Sequence, residues 1–93
     1  MLRYTILYDY YGDLLTDKQK MYFEDYYFNN LSLQEISENY GVSRNAIHKS
    51  LNDITNKLDY YESVMKLHEK GLKIEKLIDK LDSKLKEQIK ELI

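Results

Sequence analysis

Ninety-three residues give room for one domain, and the absence of cysteine excludes disulfides and thiolate metal sites. A net charge of −2 at pH 7 excludes the strongly basic surface of a protein held on nucleic acid by charge alone. Proline is absent and only three glycines interrupt a sequence rich in Leu, Ile, Lys and Glu, so the expected fold is all-α.

No run approaches the roughly 20 apolar residues of a membrane helix. The opening MLRYTILYDYYGDLL lacks the basic start, apolar run and small-residue cleavage site of a signal peptide. A cytoplasmic protein with no membrane insertion is expected. Ten tyrosines stand out, and most precede Gly41. Tyrosine has a large apolar body and a polar tip, which suits interfaces as well as cores.

Residues 2–11 read as a first helix. Leu2, Ile6 and Tyr10, with Leu7 beside them, form one stripe; Tyr4, Tyr8 and Tyr11 form a second. Two stripes call for contacts on two sides, either within one core or shared between the core and a partner subunit. Gly12 ends this helix. Thr16 and Gln19 form a capping box for a second helix running to about Phe28. Its expected inner face is Met21, Tyr22, Asp25, Tyr26 and Phe28. Asn29-Asn30 signals a turn.

Ser32 and Glu35 make a second capping box, and Leu33, Ile36 and Tyr40 face inward. Gly41 sits where the chain must turn at positive φ. Val42 fills the angle between helices, and Ser43 caps a fourth helix from Arg44. No evident stop follows before Gly71. Ile47, Leu51, Ile54, Leu58, Tyr61, Met65, His68 and Leu72 alternate in steps of four and three, as in a heptad seam. Gly71 is the expected C-cap. Beyond it, Ile74, Ile78, Leu81, Leu85, Gln88 and Leu92 form another stripe, widened by Leu77 and Ile89.

The expected organisation is a helix-turn-helix domain over residues 1–70, led by an aromatic helix, and a C-terminal amphipathic helix over 71–93. That helix either packs back or pairs in a dimer. The stripe exceeds what three short helices can cover. We therefore expect a homodimer with Tyr4, Tyr8, Tyr11, Leu58, Tyr61 and Met65 at its interface.

On the fourth helix Ile47, Leu51, Ile54 and Leu58 share the buried line. Asn45, His48, Lys49 and Asn52 point the other way, with Arg44 on the flank. These side chains can bond base edges and phosphates, and they occupy the turns that enter a major groove. Ser43 and the free N–H groups beside it can hold a phosphate. The expected nucleic-acid face is Ser43, Arg44, Asn45, His48, Lys49 and Asn52. Glu35, Glu38 and Asp53 offset its charge, so the alternative is a packing unit with a solvated outer face.

Catalytic readings fail on residue type. There is no cysteine nucleophile, glycine-rich phosphate loop or His-x-x-x-His pair. His48 and His68 lie too far apart on one helix to share a metal. No catalytic residue, metal or cofactor is expected.

The stretch LYDYYGDLLTDKQKMYFEDYYFNNLSLQEISENYGVSRNAIHKSL, followed by LDYYE, resembles the YlxM family of small bacterial proteins over about residues 4–70. Its helix-turn-helix part is also similar to region four of bacterial sigma factors. The resemblance implies a sigma-region-four-like fold and a DNA-binding or regulatory role. It also implies a link to the signal recognition particle pathway, whose GTPase, receptor or RNA would be partners. Arg44 and the core positions match the family's Ser-Arg-x-Ala-Val pattern. His48, Lys49 and Asn52 are particular to this chain.

Overall fold

A computed structural model describes residues 2–81 and 83–92; Met1, Asp82 and Ile93, which the expected domain bounds include, lie outside the described residues. The described residues form helices α1 (Leu2–Tyr11), α2 (Asp17–Tyr27), α3 (Leu33–Tyr40), α4 (Arg44–Met65), α5 (Leu67–Ile78) and α6 (Ser83–Lys90), with a 3-10 turn over Gly12–Leu14. The all-α expectation holds.

Local chemistry sets the first boundaries. Thr16 and Gln19 bond reciprocally at the start of α2, and Ser32 and Glu35 do the same at α3. Each box satisfies two backbone donors that the helix leaves free. Gly41 ends α3 in the left-handed conformation, at φ 67°, where a Cβ would clash with the backbone. Its N–H returns to the Ser37 carbonyl. Ser43 then caps α4 by accepting from the Ala46 N–H at 3.1 Å.

Helix α4 is the axis of the body and packs against α1, α2 and α3. Ile47, Leu51, Ile54 and Leu58 supply its buried line. They meet Leu7 and Tyr11 of α1, Leu15, Tyr22 and Phe23, and Ile36 of α3. Burial of these side chains contributes on the order of 1.5–3 kcal/mol each. The inner face of α2 differs from expectation. Met21 is 46% exposed and Phe28 48%, whereas Tyr22 and Phe23 are buried. The pair at the centre of α2 therefore supplies the face, with Phe23 stacked between Tyr8 and Tyr27 at 4.3 Å from each ring.

The seam expected to run through Gly71 is broken earlier, at Lys66. That residue is left-handed, with φ 56° and ψ 33°; its N–H closes α4 on the Glu62 carbonyl, and α5 starts at Leu67. Gly71 is not a cap but lies inside α5, where an added Cβ would stand 3.1 Å from the Tyr10 hydroxyl. The glycine thus permits close approach of α1 to α5. The tail is not one helix either. It turns after Ile78, and Asp79 receives Lys86 and Lys90 of α6 at 3.6 and 3.8 Å. The molecule measures 54 × 25 × 19 Å, with a radius of gyration of 16.9 Å. A compact chain of this length would have about 12 Å, so the molecule is elongated.

Candidate nucleic-acid interface

The sharp Gly41 turn and the Ser43 cap fix how α4 leaves α3. Ile47 is fully buried and anchors the first turn of α4. The opposite side of those turns carries Arg44, Asn45, His48, Lys49 and Asn52, all exposed, with exposed Ser43 at the helix start. Among the described residues, none hydrogen-bonds or ion-pairs with those five side chains. The structure thus brings together all six positions named from the sequence. Glu35 is held by its capping box, and Glu38 accepts from the Gln34 side chain at 3.0 Å.

The expected partner surface fares differently. Tyr11 is 1% exposed and Leu58 0%, both inside this chain's own core. That burial removes them from any surface a second chain meets. Tyr4, Tyr8 and Tyr61 are half-buried against the same core, and Met65 is exposed. The tyrosine stripe of α1 is therefore largely a wall of the body. Tyr4 donates to Asp59 of α4 at 3.0 Å, beside the Arg3–Asp59 ion pair.

Sequence reasoning missed a second polar constellation, at the break after α4. The Tyr11 hydroxyl donates to the Glu62 carboxylate at 2.6 Å and accepts from the Leu67 N–H at 3.0 Å. The same carboxylate accepts from the N–H groups of His68 and Glu69, both at 3.1 Å. Three backbone donors at the start of α5 are thus satisfied by side chains of α1 and α4. Burial pushes the Glu62 carboxyl up, but donation from Tyr11, His68 and Glu69 outweighs it and leaves the pKa below its usual value. Burial, and then donation to Glu62, raise that of Tyr11. A signal for the break existed in the sequence. At about 100° per residue, Leu67, Ile74, Ile78 and Leu81 fall roughly opposite the line of Leu58, Tyr61 and Met65.

A cleft of ≈ 520 Å³ lies beside this latch, lined by Asp9, Tyr10, His68 and Glu75 among others. Among the described residues no group of three or more His, Cys, Asp or Glu side chains is placed to hold a metal ion. Among them, too, no helix is long and apolar enough to cross a membrane.

Comparison with known proteins places this architecture. A model of the family UPF0122, described as "Putative helix-turn-helix protein, YlxM / p13 like", matches residues 1–93. The chain belongs to this family. The UPF0122 protein of Malacoplasma penetrans is 52% identical over 62 residues, covering 67% of this chain and 58% of that one. That of Caldanaerobacter subterraneus is 44% identical over 77 residues, covering 83% and 66%. That of Listeria innocua is 40% identical over 83 residues, covering 89% and 76%. The chain thus spans 58% and 66% of the first two relatives' lengths. The YlxM resemblance read from residues 4–70 holds, and the family match reaches the whole chain. The left-handed Lys66 and the Tyr11–Glu62 latch are features of this UPF0122 chain that the helix-turn-helix description does not mention.

Proposed function

We propose that this chain is a regulatory protein that binds nucleic acid through the N-terminal turns of α4, with no catalytic role. The observation that carries this reading is the row of exposed, unpartnered side chains Arg44, Asn45, His48, Lys49 and Asn52 opposite the buried Ile47. Ser43 and the N-terminus of a 22-residue helix add an oriented dipole for a phosphate. Amide, imidazole and cationic groups in these turns suit base edges and backbone together. The net charge of −2 means that a single chain binds weakly. Dimerisation through the exposed apolar side chains of Val64, Met65, Leu67 and Leu77 would bring two such helices to one duplex.

The test is fluorescence anisotropy with labelled duplex DNA at about 50 and 200 mM salt, alongside light scattering for the dimer. Binding that weakens steeply with salt, and weakens again in Arg44→Ala without loss of fold, is expected. Absence of duplex binding at the lower salt overturns the reading.

A second reading rests on the far end of the molecule. Leu77, Leu81 and Leu85 on and beside the α5–α6 hairpin are exposed, as on a protein-interaction surface. In that reading the chain binds the GTPase, the receptor or the RNA of the signal recognition particle pathway, the context implied by the YlxM resemblance. Saturable binding to the purified GTPase without duplex binding would select it.

A further inference from the structure

One flank of the recognition helix opens into a groove that shares His48 and Asn52 with the duplex-reading row. His48 and Asn52 of α4 stand on one side of it and Tyr26 and Tyr27 of α2 on the other, with Leu33 and Leu51 contributing apolar surface. Its volume is ≈ 300 Å³, the lower end of the range for small-ligand sites. The aromatic wall is held in place. Tyr27 stacks on buried Phe23 at 4.3 Å, and Tyr26 meets Tyr27 edge-on at 5.1 Å.

Four polar groups of the groove are free, whereas the Tyr4 hydroxyl donates to Asp59 and that of Thr55 to the Asn52 carbonyl. Among the described residues, the hydroxyls of Tyr26 and Tyr27, the imidazole of His48 and the amide of Asn52 have no hydrogen-bond partner. Among the described residues no carboxylate lines the groove, unlike the cleft that holds Asp9 and Glu75. Nothing in its lining therefore repels a phosphate backbone lying alongside. Flat rings, an apolar surface and a donor–acceptor amide together match one kind of ligand, a planar heteroaromatic ring with polar edges. Asparagine pairs with adenine through its N6 donor and N7 acceptor. Aromatic walls take the faces of bases that have left the helical stack.

We propose that this groove captures an unpaired adenine from a DNA or RNA strand lying along α4. The proposal rests on the nucleic-acid reading above, because His48 and Asn52 belong to both surfaces. A paired base cannot enter, since both its faces are stacked in the duplex. An extruded or bulged one can.

The experiment titrates the full chain against hairpin duplexes that are fully paired, or that carry one bulged adenine or one bulged cytosine, each made in DNA and in RNA. The adenine bulge is expected to bind roughly tenfold more tightly than the paired hairpin. Asn52→Ala and Tyr26→Ala should each remove that difference, whereas Arg44→Ala should weaken paired and bulged hairpins alike. Asn52 is exposed, so its variant tests the groove even where Tyr26→Ala lowers stability. The DNA and RNA arms identify the strand that supplies the base. Equal affinity for paired and bulged hairpins overturns the groove while leaving duplex reading intact. A bulge preference that survives Asn52→Ala also overturns it. No binding to any hairpin at low salt removes both proposals.

Discussion

The body formed by α1–α4 and the hairpin formed by α5 and α6 hold their shape by different means. Among the described residues the hydrophobic core cluster belongs to the body alone, and α4 threads it from Ile47 to Leu58. In the hairpin, Ile78 is buried while Leu72, Ile74, Leu77, Leu81 and Leu85 stay exposed. The hairpin is joined to the body by the Tyr11 and Glu62 side chains, bonded to backbone N–H groups at the start of α5, and by the close approach of Tyr10 to Gly71 and His68. Non-directional burial tolerates small shifts, whereas those hydrogen bonds hold only in a narrow range of geometry. A body of the first kind holds the start of α4, with its exposed polar row, at a fixed angle. A hairpin of the second kind is expected to open at lower cost than the body.

The largest test of this contrast is a pair of truncations. Leu58→Ala should destabilise the protein by about 2–5 kcal/mol in urea unfolding. Leu85→Ala, at an exposed position, should cost less than about 0.5 kcal/mol. Equal losses would erase the distinction between body and hairpin. Next comes Tyr11→Phe, which keeps the buried ring and removes the hydroxyl. It should cost about 0.5–3 kcal/mol, the span from an ordinary hydrogen bond to one with a charged group. Hydrogen exchange should accelerate at the amides of Leu67, His68 and Glu69 while that of the α4 core stays slow. Uniform acceleration would mean that the latch is not local.

Lys66→Gly should act in the opposite direction. Lysine in the left-handed region costs about 1–2 kcal/mol, a penalty glycine does not carry. Part of that gain is lost to the greater freedom of glycine in the unfolded chain, so a net stabilisation of roughly 0.5–1 kcal/mol is expected in the same unfolding assay. A loss of stability would argue against the left-handed break. The smallest effect concerns pH. The folded pKa of Glu62 lies below its usual 4.5. Its contribution is therefore present above that value and is lost as pH falls through the lower, folded pKa. The acid limb of the stability profile should be shallower in Glu62→Gln than in the unsubstituted chain. Identical limbs would show that the carboxylate does not hold the start of α5.

Much of this was legible in the sequence, because it was local. Thr16 with Gln19, Ser32 with Glu35, and Ser43 each act on backbone groups within three residues. Gly41 acts on its own φ. Helix starts, the tight turn and the outward row on α4 follow from such short-range chemistry and from the 3.6-residue period. Gly71 misled for a physical reason. Its lack of a side chain serves a contact with Tyr10, 61 positions away, rather than a helix end.

By itself the sequence determined the all-α class, the capped helices and the six polar positions around the start of α4, since each depends on neighbours in the chain. The tertiary structure decided the rest. Tyr11 and Leu58 went to the core and not to a partner surface, and Tyr26 and Tyr27 came to face His48 and Asn52 across a groove. At the Lys66 break the Leu67 N–H goes to the Tyr11 hydroxyl, brought by α1 from more than 50 residues away, and those of His68 and Glu69 go to the Glu62 carboxylate. Helix period and capping rules reach only a few residues, so the switch of apolar stripe after Met65 marks the break but does not announce a partner as distant as Tyr11.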